Sequence, residues 1–129
     1  MPDAPSILIT DDDRAFRETL ESVFAPRGFA TYLAADGAEA VDVIRNEQIH
    51  VVLLDMHMPR LTGLETVKAV RETNDVLPFV LITAAIDEAI RKEAEATRVF
   101  EVLEKPVELN AVTSVVADAF RQTYDWCVL

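Results

Sequence analysis

Apolar residues recur along this chain in two rhythms. Short, mainly apolar runs appear at Ser6-Ile-Leu-Ile-Thr10, Phe29 to Ala34, Val51-Val-Leu-Leu-Asp55, Phe79-Val-Leu-Ile-Thr83 and Val99 to Leu103. All five predict strands, the second a weaker one, and the unbroken run Val51 to Leu54 predicts a strand buried on both faces. Between them the apolar positions return every three or four residues. Phe16, Leu20, Val23 and Phe24 form the first such set, then Ala40, Val41 and Ile44, and Leu64, Val67 and Val70. Ile86, Ile90 and Ala94 give a thinner stripe, and Leu109, Val112, Val116 and Phe120 the last. That spacing lines one face of a helix. Strands therefore alternate with helices five times, which predicts an α/β fold: a five-stranded parallel sheet with helices on both faces.

Punctuation fits these elements. Asp13 is placed to cap the first helix, and Pro26 and Gly28 end it. Asp36-Gly37 supplies a turn, and the second helix closes near Asn46. Met56 to Thr62, marked by Pro59, reads as a loop, with Gly63 turning the chain into the third helix. Thr73 to Pro78 is a connector, and the fourth helix is expected over Ala84 to Thr97. Pro2 to Pro5 read as a lead-in, the core as about residues 6–124, and residues 125–129 as an apolar tail. No repeat or linker interrupts this, so residues 1–129 read as one domain.

Composition narrows the setting. A chain of 129 residues, half of them hydrophobic, can bury roughly two thirds of its unfolded surface. No apolar stretch approaches the ~20 residues of a membrane span, and the N-terminus lacks the basic and apolar regions of a secretory signal. The single cysteine, Cys127, rules out an internal disulfide and fits a cytoplasmic location. A net charge of −11 repels phosphate backbones, so direct nucleic-acid binding by this domain is not expected.

The chemistry gathers at the strand ends. Parallel strands joined by right-handed crossovers share one carboxyl edge. In the doubly wound order 2-1-3-4-5, a flavodoxin-like (βα)5 arrangement, strands one and three are neighbours where the winding reverses. Asp11 and Asp12 then lie beside Asp55, because adjacent strands are about 4.8 Å apart. Thr83 ends the next strand, and Lys105 follows the one after, about 10 Å away, within reach of a long amine. Crowded carboxylates raise one another's pKa unless a cation joins them. Oxygen ligands without cysteine or a histidine pair select a hard ion such as Mg²⁺. A carboxylate organised in this way can attack phosphorus to give an aspartyl phosphate. Lys105 and the Thr83 hydroxyl would then meet the phosphoryl oxygens.

Each residue also has a plainer reading. Asp55 and Asp13 could be caps, Lys105 could pair with Glu104 or Glu108, and Thr83 could simply finish a strand. His50 is expected to face solvent, and Met56 and Met58 to pack in their loop. His57 has no partner in the sequence that would make it a general base.

Taken together, Ile-Leu-Ile-Thr-Asp-Asp-Asp13, Leu-Leu-Asp55-Met-His-Met-Pro59 with Gly63, Leu-Ile-Thr83-Ala84 and Glu-Lys105-Pro106 resemble the receiver domain of two-component response regulators. The resemblance covers nearly the whole chain. It implies a phosphorylation-dependent switch in a phosphorelay, with Asp55 the phosphoacceptor served by a sensor histidine kinase or phosphotransfer protein. It implies Mg²⁺ held by Asp12, Asp55 and the His57 backbone carbonyl, with Asp11 acting indirectly. Thr83 and Lys105 match the signalling hydroxyl and the phosphate-binding lysine, and the Lys105–Pro106 bond would be cis. Such a domain is not a turnover enzyme; it catalyses only its own phosphorylation and dephosphorylation. Its surface of helix four, strand five and helix five would address a downstream protein or an output domain beyond this chain. Dimerisation on phosphorylation is compatible with the resemblance.

Two positions depart from the pattern. Val102 stands where the family usually carries an aromatic switch residue, and Arg98-Val99 where a Gly-Ala pair is common. Two other readings remain at this stage. A haloacid-dehalogenase-type phosphatase also uses an Asp nucleophile and Mg²⁺, but wants a second Asp where this chain has His57. A degenerate receiver would serve only as a binding module.

Overall fold

The computed structural model describes residues 4–129; residues 2 and 3 of the expected lead-in lie outside the described residues. Five strands, β1 (Ser6–Thr10), β2 (Ala30–Ala34), β3 (Val51–Asp55), β4 (Phe79–Thr83) and β5 (Glu101–Glu104), form one sheet in the order β2-β1-β3-β4-β5. Every neighbouring pair is parallel. The helices are α1 (Arg14–Phe24), α2 (Gly37–Asn46), α3 (Gly63–Arg71), α4 (Glu88–Ala96) and α5 (Leu109–Tyr124).

All residues of β1, β3 and β4 are buried, and the two-residue period of a strand sends them to opposite faces. Ile7, Ile9, Val51, Leu53 and Val80 meet Leu20, Phe24, Val112, Val116 and Phe120 beneath α1 and α5. Leu8, Val52, Leu54, Phe79 and Leu81 meet Ala40, Val41, Leu64, Val67, Val70 and Ala94 beneath α2, α3 and α4. Each large aliphatic side chain so buried contributes roughly 1.5–3 kcal/mol. The sheet is thus rigid where its strands end.

Local chemistry sets the boundaries. Asp13 caps α1, accepting from the Ala15 and Phe16 amides at 3.0 and 3.3 Å. A 3₁₀ turn over Ala25–Arg27 ends at Gly28, whose φ of +90° suits glycine. Asp36 caps α2 through the Glu39 amide. Thr62 and Glu65 cap α3 reciprocally.

Three expectations need correction. The fourth helix begins at Glu88 rather than Ala84, because the Asp87 carboxylate takes the Ile90 amide at 2.8 Å and fixes the start there. The fifth strand runs Glu101–Glu104 rather than Val99–Leu103. The Val99 amide is spent on the Ala94 carbonyl, and Arg98 turns through φ +58° to close α4.

The third concerns His50, which is half-buried rather than solvent-facing. Its Nδ1 accepts from the Ser6 amide at 3.0 Å. Its ring meets Phe120, Tyr124 and Trp126 at 5.7, 5.3 and 5.1 Å. The Tyr124 hydroxyl donates to the His50 carbonyl at 2.6 Å, and burial pushes that phenol up to about 12. The residues after α5 therefore fold back on the sheet's amino edge.

Leu53 is 1 % exposed beneath α1 and α5. Leu53→Ala is expected to lower unfolding free energy by about 2–5 kcal/mol, read from urea denaturation; a loss under 1 kcal/mol would contradict this packing.

Candidate functional site

Four loops leave the carboxyl edge of the sheet, and each delivers one part of an acidic pocket. β1 passes directly into Asp11 and Asp12, β3 ends at Asp55, β4 at Thr83, and β5 runs into Lys105. Because β1 pairs with β3, carboxylate oxygens of Asp11, Asp12 and Asp55 lie within 4.8 Å of one another. Asp11 and Asp55 are 1 % and 4 % exposed, whereas Asp12 faces solvent.

Lys105 reaches across β4 to the end of β3, as its length allows. Its ammonium sits 3.1 Å from Asp55 Oδ1 and 3.5 Å from Asp11 Oδ2. It turns inward to these carboxylates rather than outward to Glu104 or Glu108. The Lys105–Pro106 peptide is cis, as the resemblance implied.

The electrostatics follow from burial. Desolvation raises the Asp55 pKa, opposed by the hydrogen bond and charge of Lys105. Asp11 is raised chiefly by desolvation and also by the Asp55 charge, although the Asp13 amide donates to its Oδ1 at 2.8 Å. Burial pulls Lys105 down, but its bond to Asp55 and the two carboxylate charges outweigh this and hold it above its usual range.

The pocket suits a cation in two respects. Asp11 Oδ2 is buried without a hydrogen-bond donor among the described residues, its ammonium neighbour standing at the long distance given above. The surrounding donors are all carboxylate oxygens, a set that suits a small hard divalent ion.

The other expected site residues fall as follows. Thr83 is fully buried, and its hydroxyl donates to the Ala85 carbonyl at 3.2 Å. His57 is exposed on the loop after β3. Val102 is half-buried and packs on the α4 side. Phe100 packs with the α1 and α5 cluster and also lines the cleft between β5 and α4.

Three residues at the rim carried little signal in the sequence. Phe16, which helical spacing assigned to the core, is only half-buried and holds its ring 5.0 Å from the Lys105 ammonium. It lines a cleft of about 480 Å³ with Asp13, Ala84, Lys105, Pro106 and Val107. Arg60, at φ +70°, pairs with the Asp36 cap of α2 and ties down the loop after β3. Glu104 accepts from the Ile86 amide at 2.9 Å. Only proximity in the fold reveals these roles.

The family model described as the response regulator receiver domain matches residues 7–117. Response regulator MprA of Mycobacterium sp. (strain KMS) is 38% identical over 117 residues, covering 91% of this chain and 51% of the relative. The chain thus spans about half the length of the curated relatives it matches. The Francisella response regulator 1452 receiver domain superposes with a TM-score of 0.85 at 26% identity, covering 92% of this chain and 98% of that one. CheY in the CheX–CheY–BeF3–Mg²⁺ complex from Borrelia burgdorferi gives 0.84 at 28% identity, covering 90% and 89%.

A carboxylate whose pKa is raised on folding costs stability at neutral pH, and the cost fades as pH falls through the folded-state value. Asp11→Asn keeps an acceptor for the Asp13 amide and removes that cost. It is expected to be more stable than wild type at pH 7 and to lose the advantage toward pH 4. Equal stability at both pH values, from urea titrations, would refute the crowding.

Proposed function

The chain belongs to the response regulator receiver domain family, and from that premise we propose that it is a signalling switch phosphorylated on Asp55. The observation that carries this reading is the Lys105 ammonium bridging Asp55 and Asp11 within a cluster of three carboxylates. That arrangement supplies a nucleophile, a cation for the arriving phosphoryl oxygens and acidic ligands for a metal.

The donor would be a phosphohistidine on a sensor histidine kinase or phosphotransfer protein. An Asp55 oxygen forms the new bond to phosphorus as the P–N bond breaks, and the imidazole leaves with that electron pair. Lys105 shifts from carboxylate to phosphoryl oxygen, a contact its three N–H donors can make without losing Asp55. The Thr83 hydroxyl exchanges the Ala85 carbonyl for another phosphoryl oxygen. Magnesium would be held by Asp12, Asp55 and the His57 carbonyl, with Asp11 acting indirectly. Its chemistry when bound is to offset charge on the carboxylates and the transferred group. The B. burgdorferi CheY complex with BeF3 and Mg²⁺ supports the choice of ion.

Up to about two added negative charges at Asp55 would shift an equilibrium between two surface conformations. Thr83 and Val102 are the switch positions, and α4, β5 and α5 the responding surface. A downstream protein or an output domain would read that surface. No helix among the described residues is long and apolar enough to cross a membrane, and we assign the switch to the cytoplasm. Family membership displaces the dehalogenase-type alternative, and the intact carboxylate and lysine set favours an active receiver over a degenerate one.

Two outcomes test the reading. Asp55→Asn is expected to abolish labelling by acetyl phosphate in Mg²⁺, and undiminished labelling of that variant would discard the assignment. Magnesium alone should raise the melting temperature. With half-saturation near 1 mM, 10 mM ion would add about 1.4 kcal/mol, whereas Asp12→Ala should respond little. An unchanged wild-type melt would favour the degenerate receiver.

A further inference from the structure

We infer that the Glu104 carboxylate is a latch that holds the proposed switch in its resting arrangement; this rests on the phosphorylation reading of the same pocket. Thr83 and Glu104 are register partners across β4 and β5. From that one rung they grip two successive residues of the loop leading into α4. The Thr83 hydroxyl donates to the Ala85 carbonyl at 3.2 Å, and Glu104 Oε1 accepts the Ile86 amide at 2.9 Å.

The far end of α4 is fixed differently. Lys68 on α3 pairs with Glu93 at 2.9 Å. The Arg71 guanidinium donates to the Thr97 and Arg98 carbonyls, each at 3.0 Å, and Arg98 pairs with Asp75 at 2.9 Å. With its carboxyl end tied to α3, α4 has its freedom at the loop that Thr83 and Glu104 hold.

A threonine hydroxyl has one proton to give. Once that proton serves a phosphoryl oxygen, the Ala85 carbonyl is released and Glu104 is left as the remaining hold on the loop. The neighbouring cleft of about 190 Å³ is lined by Ile86, Ala94, Val99, Phe100 and Val102, with valine at the position where the family usually carries its aromatic switch residue. In this chain the resistance to switching therefore lies in the hydrogen bond from the Ile86 amide to an acceptor oxygen of residue 104 and not in the burial of an aromatic side chain at position 102. Glu104 is a positioning residue, acting on Thr83 through the loop.

The test compares wild type, Glu104→Ala and Glu104→Gln, with and without Mg²⁺ and acetyl phosphate. Residue-resolved amide exchange on unphosphorylated protein should rise about tenfold at Ile86 in Glu104→Ala, and acetyl phosphate should label that variant at least threefold faster. Glu104→Gln keeps an acceptor oxygen and is expected to stay near wild type in both readouts. Two results would overturn the latch. One is Glu104→Ala matching wild type at Ile86 and in labelling rate. The other is Glu104→Gln matching Glu104→Ala, which would assign the effect to lost charge beside Lys105. Should wild type itself fail to label, the phosphoacceptor assignment falls, and exchange at Ile86 alone then decides the latch.

Discussion

Two carboxylates buried side by side repel each other and are poorly solvated, and a fold that places them so needs a nearby positive charge. Asp11 and Asp55 are in that position, and the Lys105 ammonium is the charge that reaches them. The rest of the structure serves this contact. The order β2-β1-β3-β4-β5 makes β1 and β3 neighbours, and the buried layers on both faces of the sheet hold their ends in place. Lys105 must span β4 to arrive, so it lies partly over the pocket mouth with the Phe16 ring beside it. An amine in that position can move to an incoming anion without leaving the carboxylates unpaired.

Much of this was legible in the residues. Val51 to Leu54 could be little other than a strand buried on both faces, and the carboxylate that ends the run had to emerge at the sheet's edge. Asp13 and Pro26-Arg-Gly28 marked the limits of α1 by the chemistry of helix ends. What escaped notice depended on distant partners. Ala84 to Ile86 look helical because alanine is a good helix former, yet the Ile86 amide is drawn to Glu104 on another strand. His50, polar and next to a strand, suggested solvent; its ring is covered by residues 70 or more positions later in the chain. Phe16 had the spacing of a core residue but the neighbours of a site residue. Periodicity records which face a residue occupies and is silent on what lies opposite.

Val102 changes how the pocket and the surface can be connected. Its side chain is too small to swing between buried and exposed positions with much change in apolar area. The cross-links from α3 restrain the carboxyl end of α4, while the loop after β4 is held by single hydrogen bonds from Thr83 and Glu104. A device built from hydrogen bonds has a short range and a sharp dependence on geometry. It suits a loop that exchanges one set of partners for another.

The aromatic cluster at the opposite edge has a practical side. Trp126 is the single tryptophan, and it lies against His50, at the start of the strand that ends in Asp55. Five residues of extended chain separate those ends by about 16 Å. The intrinsic emission of this protein therefore monitors how the terminal segment is seated. It is a gauge of unfolding that stays largely deaf to ion binding in the acidic pocket.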